Sequence, residues 1–318
     1  MLTLLRQHSL IIMILFLIML ISSLPAQMKN DFDLSNALIN PDEILSGGPP
    51  RDGIPAINHP RFVKAPQADF LKAEDRVYGI QYNGVVKAYP IKILNWHEIV
   101  NDWFGNDPLV ITYCPLCGSG ITFSRGIAGE MREFGVSGLL YNSDVLLYDK
   151  QTESLWSQIM GKAISGPLKG TSLEPIPMTL TIWQDWRDQH PETLVLSTET
   201  GFKRDYNRNP YTGYEQTGRL MFPVSNENPA YHAKETVLGI ERNGQFKAYP
   251  FSELQKAGSL IRDEVAGTEI QIHYNHENQS ARALDSQGNE IHTVILYWFA
   301  WIAFHPASDV FKAQGEKQ

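Results

Sequence analysis

A β-rich α+β fold is what this sequence predicts: two related hairpin-helix-strand modules packed together with a linking β region. Three observations predict it. Val77–Pro90 reads VYGIQYNGVVKAYP and Val237–Pro250 reads VLGIERNGQFKAYP, an offset of 160 residues. In each copy an Asn-Gly pair, Asn83-Gly84 or Asn243-Gly244, separates two strand-like runs. That is the strongest short hairpin signal, because both turn residues need positive φ. Downstream, Leu109–Tyr113 aligns with Ile270–Tyr274 after a one-residue insertion.

Ahead of the modules, Arg6 and His8 precede Leu10–Ile21, which no polar residue interrupts, and Ser22, Ser23, Pro25 and Ala26 follow. This is the layout of an export signal, Met1–Ala26, cleaved near Ala26. Its twelve apolar residues fall short of the roughly 20 that a membrane span needs. The expected product is periplasmic or extracellular, soluble, and in contact with the membrane only transiently through that segment. Losing Arg6 moves the formal net charge from -8 to -9, and an acidic exported protein is a poor partner for nucleic acid. Hydrophobic residues make up 43% of the chain, enough for a core that two cysteines need not staple.

Residues 27–68 read as an N-terminal arm, since Gly47–Pro55 is dense in glycine and proline. Residues 69–313 read as a single compact domain, with module 1 at about 76–124 and module 2 at about 236–285. From Ile91 to Phe104 the period is helical: Ile93, Val100 and Phe104 share a face with His97, and Gly105 supplies a stop. The link from Glu130 to Ala230 reads as short strands and turns, with Trp183–Gln189 a helical turn or two. Val294–Phe304 is an apolar run too short to span a membrane and is read as buried core.

The chemistry concentrates where the two copies differ. Cys114 and Cys117, the only cysteines, form a Cys-Pro-Leu-Cys turn at the end of a strand; their counterparts are Asn275 and Asn278, and His97 falls opposite Ala257. One such turn supplies two thiolate ligands, and His97 and His305 are the histidines expected to complete a copper or zinc site, with a metal-dependent redox role as the extension. The blander reading of each histidine is a hydrogen-bonded core residue or an end cap. A second reading is thiol-disulfide exchange through Cys114 and Cys117, against which Gly118-Ser119-Gly120 opens no helix to lower a thiol pKa. A third is a non-enzymatic module that binds a glycan or peptide through Arg204, Asp205, Tyr206, Tyr211 and Tyr214, or the same loop serving structure alone. Glu98, Asp102, Asp144 and Asp149 are carboxylates that sit beside the site or in solvent. No phosphate loop, HExxH stretch or Ser-His-Asp order supports a hydrolase.

Five segments, GGPPRDGIPA (Gly47–Ala56), TYCPLCGSG (Thr112–Gly120), FGVSGLLYNSDVLLYDKQTESLWSQ (Phe134–Gln158), RDYNRNPYTGY (Arg204–Tyr214) and WFAWIAFHP (Trp298–Pro306), together resemble an exported bacterial and archaeal family catalogued as domain of unknown function 3179. The resemblance runs from about Asp33 to Phe311. It implies export and marks these motifs as units, and it implies no particular activity.

Overall fold

A computed structural model describes residues 27–313 of the chain. The export-signal reading at Met1–Ala26 lies outside the described residues. The fold is mostly β, 42% strand and 12% helix, with five small sheets arranged as a five-bladed β-propeller, which corrects the expected α+β packing of two modules. Two local facts explain the correction. The four α-helices among the described residues are seven residues each, too short to form a layer of their own, so they act as connections between strands. The stretch expected to link the modules also builds a sheet of its own.

Blade 1 holds the first hairpin, Arg76–Tyr82 with Val85–Pro90, flanked by Thr179–Ile182 on one side and by Leu194–Leu196 and Phe62–Lys64 on the other. Blade 2 runs Pro175–Ile176, Ser119–Ser124, Asp107–Cys114, Ile99–Phe104. Blade 3 is the linking stretch, with Lys162–Ser165, Leu155–Ser157, Asp144–Asp149 and Phe134–Tyr141, and Ile44–Ser46 on its edge. Blade 4 carries the second hairpin, Thr236–Arg242 with Gln245–Pro250, between Val294–Tyr297 and Asp309–Val310. Blade 5 runs Leu260–Val265, Thr268–Asn275, Ser280–Asp285, Glu290–Ile291. The arm of residues 27–68 thus supplies edge strands to blades 3 and 1.

The two hairpins pair in the same register, Val77 with Pro90 and Val237 with Pro250. Each meets an antiparallel strand that leads into a helix, Trp183–Gln189 or Trp298–Phe304, whose tryptophan covers the hairpin glycine. A Cβ on Gly79 would lie 2.3 Å from Trp186, and one on Gly239 would lie 2.1 Å from Trp301, so no larger residue fits either place. Both helices end at His-Pro, His190-Pro191 and His305-Pro306, and the following short strand returns parallel to the hairpin.

The helix expected over Ile91–Phe104 stops at His97. Glu98 then takes a φ of 57°, and Ile99–Phe104 continues as a strand against Asp107–Cys114. The β-branched pair Ile99-Val100 favours that outcome, and full burial of both residues between sheets rewards it.

Candidate functional site

Cys114 ends its strand in blade 2, paired with Ser119 across the turn. Gly118 carries the turn at a φ of 62°, and a Cβ there would lie 2.8 Å from the Tyr297 ring, so this position also needs glycine. The Tyr297 N–H donates to the Cys117 carbonyl (2.8 Å), which ties the turn to blade 4. A buried amide network fixes the base: Ser119 Oγ donates to Gln158 Oε1 (2.7 Å), and Gln158 Nε2 donates to Thr112 Oγ1 (2.8 Å). Cys114 is 1% exposed and Cys117 0%, and both thiols are free.

Blade 3 delivers the third member. Asn142 and Ser143, with φ of 51° and 63°, turn the hairpin between Tyr141 and Asp144. This hairpin tip is buried: Ser143 Oγ donates to the Phe222 carbonyl, Asn142 Oδ1 accepts from the Ser225 N–H, and Asn142 Nδ2 donates to Ala303 O. Cys114 Sγ lies 3.6 Å from the Ser143 carbonyl. Asp144 is completely buried. Its Oδ2 accepts from the Ile159 N–H (3.0 Å), while Oδ1 has no N–H or O–H partner among the described residues. One donor atom from each of Cys114, Cys117 and Asp144 lies within 4.8 Å of the other two, a buried group that could bind a metal ion.

Burial dominates the electrostatics of the group. With no cation beside it, the Asp144 carboxyl is pushed up to about 8 by desolvation, only partly offset by its hydrogen bonds to backbone N–H groups and Cys114. Desolvation, reinforced by Cys114 and Asp144, drives the Cys117 thiol well above its ordinary range. Glu98 is also held up at about 8, first by burial and then by repulsion from Asp144. Glu98 and Cys114 line the same cavity, about 150 Å³, whose remaining walls are largely apolar, including Ile54, Leu116, Val136 and Phe222. The glycine- and proline-rich arm covers one side of this chamber through Gly47, Pro49 and Ile54. Pro115 and Tyr211 line the chamber and also a larger outer pocket of about 540 Å³, so they form the wall between the two.

His97 stands outside the group. Its backbone neighbour Glu98 is bonded to Tyr113, next to Cys114, yet its ring is spent elsewhere: Nδ1 donates to the Pro55 carbonyl (2.8 Å) and Nε2 accepts from the Tyr206 hydroxyl (2.8 Å). Burial lowers its pKa, so it serves as a neutral core histidine. His305 stacks on Phe246 with ring centroids 4.0 Å apart, and burial lowers its pKa to about 4. It lines a different cavity.

The tyrosine loop divides. Tyr206, Tyr211 and Tyr214 all line the outer pocket, with Arg208, Asn95 and Pro115. Arg204 lies over the Trp96 ring instead, and the Asp205 carboxylate accepts the Asn207 N–H within its own turn.

Residues 51–308 match the family described as Protein of unknown function (DUF3179). The chain belongs to that family. Cys114, Cys117, Asp144 and Glu98 all fall inside the DUF3179 match, as do residues 51–68 of the arm and the tyrosine loop. No curated protein and no solved structure matches the chain. Among the described residues, no helix is long and apolar enough to cross a membrane.

Sequence reasoning placed Asp144 and Glu98 among carboxylates beside the site or in solvent. A signal was available for each. Asp144 follows Asn142-Ser143 at a hairpin turn inside an apolar run, a place where a buried tip is foreseeable. Glu98 aligns with Gly258, which suggests a special backbone position occupied by an acid for a reason.

Proposed function

We propose that this is an exported dithiol redox protein in which Cys114 and Cys117 interconvert between two thiols and a disulfide, with Asp144 as the proton acceptor. The observation that carries the reading is the contact of two free, adjacent thiols with a buried carboxyl held near neutrality. Loss of the proton from Cys114 to Asp144 creates a thiolate without bringing a cation into the core, and a base of this strength is suited to that transfer. Cys114 borders the chamber and Cys117 does not, so Cys114 is the attacking sulfur and Cys117 the resolving one. Export, read from Leu10–Ile21, puts the pair in a compartment where disulfides persist.

Thiol counting across a series of glutathione redox buffers tests this. Reversible loss of both thiols, abolished in Cys114→Ser and in Cys117→Ser, is the expected result. Thiols that stay reduced under every buffer would refute it.

The closeness of the Asp144 carboxyl to both sulfurs favours a second reading, a bound transition metal with Cys114, Cys117 and Asp144 as ligands and the chamber at its open side. Two thiolates and a carboxylate suit zinc or copper by softness. Metal analysis of the purified protein decides between the two: stoichiometric metal lost in Cys114→Ser and Asp144→Asn supports this reading over the first.

A further inference from the structure

We infer that the oxidant reduced by the Cys114–Cys117 pair is a small organic hydroperoxide, bound in the chamber, with Glu98 as the acid that protonates its leaving oxygen. The inference rests on the redox reading above and adds a substrate class and a catalytic residue to it.

The size of the chamber sets the limit. Neither sulfur reaches the surface and oxidised glutathione exceeds the cavity, so a protein disulfide or glutathione meets the pair only on slow opening of the chamber, which equilibrates it in a redox buffer but does not turn it over. A cavity of about 150 Å³ lined mostly by apolar side chains is the size that accepts a benzene-sized molecule. Within that limit, a two-electron oxidant for a dithiol needs a weak bond that a sulfur can attack in line. A short alkyl hydroperoxide supplies an apolar body for the walls and an O–O bond for Cys114.

Glu98 supplies the remaining requirement. Glu98 lines the chamber with Cys114, and a carboxyl buried with no cation beside it favours its protonated form. The structure spends a left-handed backbone on placing it there, φ 57°, where the matching residue of the other half is Gly258 with φ 101°.

The steps balance. The reactive form holds one proton on the two neighbouring carboxyls, on Glu98, where the Asp144 charge favours it; ionised Asp144 takes the Cys114 proton, and the thiolate sulfur attacks the terminal peroxide oxygen. An S–O bond forms, the O–O bond breaks, and the alkoxide leaves with the bonding pair and takes the Glu98 proton to become an alcohol. Cys117 then attacks the sulfenic sulfur; its proton and the departing hydroxide make water, and a disulfide forms. Asp144 returns its proton to Glu98. Two electrons have passed from the dithiol to the peroxide, and an external thiol restores the pair.

The test mixes the reduced full chain, freed of reductant, with tert-butyl hydroperoxide, cumene hydroperoxide or hydrogen peroxide, and follows free thiols with time. Both thiols should disappear together into one disulfide, faster with tert-butyl than with cumene hydroperoxide, and Glu98→Gln should slow the reaction about a hundredfold. The comparison of the two hydroperoxides needs no variant, so it stands even if Glu98→Gln folds poorly. A pair that closes in glutathione buffers but reacts with peroxides no faster than free glutathione overturns the substrate and keeps the redox reading. A pair that closes under no condition overturns both.

Discussion

Blade 1 with blade 2, and blade 4 with blade 5, carry the same framework around different chemistry. In the first half Lys87 Nζ and Tyr89 Oη both donate to Asp102 Oδ2; in the second, Lys247 and Tyr249 donate to Asp263 Oδ2 in the same way. Each hairpin turns at Asn-Gly and has its glycine covered by a tryptophan. Then the halves part: Glu98, Cys114 and Cys117 in the first face Gly258, Asn275 and Asn278 in the second. Residues that hold a hairpin to the next strand recur wherever that packing recurs. Residues that occur once, are buried, and strain or destabilise their surroundings point to chemistry.

Burial separates even the shared ion pairs, and it sets the largest expected effect. The side chains of Lys87 and Asp102 are 8% and 6% exposed, those of Lys247 and Asp263 19% and 20%. Asp102→Ala leaves an ammonium buried without its partner and should cost roughly 3–5 kcal/mol. Asp263→Ala leaves a lysine that can reach water, so its loss should stay near about 1.5–3 kcal/mol, the worth of charge-assisted hydrogen bonds. Urea unfolding of both variants checks the order; equal losses would mean that the two frameworks are more alike in energy than in exposure.

The pH dependence of stability sharpens the comparison next. Asp144 and Glu98 have folded-state pKa values raised to about 8, well above those of the unfolded chain. A raised folded value means stability present at low pH and lost as pH climbs toward the folded pKa, because the unfolded chain releases the proton first. His292 and His305 act in the opposite sense: lowered to about 4, they withdraw stability as pH falls from 6.5 toward 4. The two trends oppose each other below pH 6.5. Between pH 6.5 and 8 the carboxyls act alone, and stability should fall by on the order of 2–4 kcal/mol. The double variant Asp144→Asn, Glu98→Gln should flatten that window in a series of thermal melts. A wild-type curve already flat there would argue for a bound cation that keeps both groups ionised.

The repeated hairpins were legible because a period-two pattern and Asn-Gly are local signals that survive in any packing. The propeller was not, because whether four strands curl into a blade or pair with another module is decided by sheet-to-sheet contacts far apart in sequence. Phe134–Tyr141 and Asp144–Asp149 read individually as strands, but nothing local says that Ile44–Ser46, some 90 residues earlier, closes their sheet. The cysteine turn was legible at the site for the same local reason. Its partners were not: His97 sits on the chain next to Glu98, and only the break of the helix at Glu98 decides which of the two serves the chamber.

That break gives His97 a purely structural role, and a variant can isolate it. His97→Ala deletes both the bond to Pro55 and the bond from Tyr206, and opens space beneath Phe202, whose ring centroid lies 5.4 Å away. A loss of about 1–3 kcal/mol is expected. Disulfide formation at Cys114–Cys117 should keep its rate, which a stopped-flow thiol assay would check. A rate that fell with His97 would return the imidazole to the chemistry.

The smallest effect is the most direct test of why the halves differ at Glu98. A non-glycine residue held at positive φ costs on the order of 1–3 kcal/mol, and burial of its carboxyl adds to that cost. Glu98→Gly makes the first half match the second at this position. Glycine takes back about 0.5–1 kcal/mol through the freedom it gives the unfolded chain, so the net gain in stability should be near about 1 kcal/mol. The reciprocal Gly258→Glu should lose stability, because Gly258 holds a φ of 101° that a residue with a side chain rarely adopts, although nothing would crowd a Cβ there. If Glu98→Gly is more stable and slower to form the disulfide, the acid is there for the chamber at the expense of the fold. If it is less stable, Glu98 belongs to the framework after all, and the distinction between the two halves shrinks to the cysteines alone.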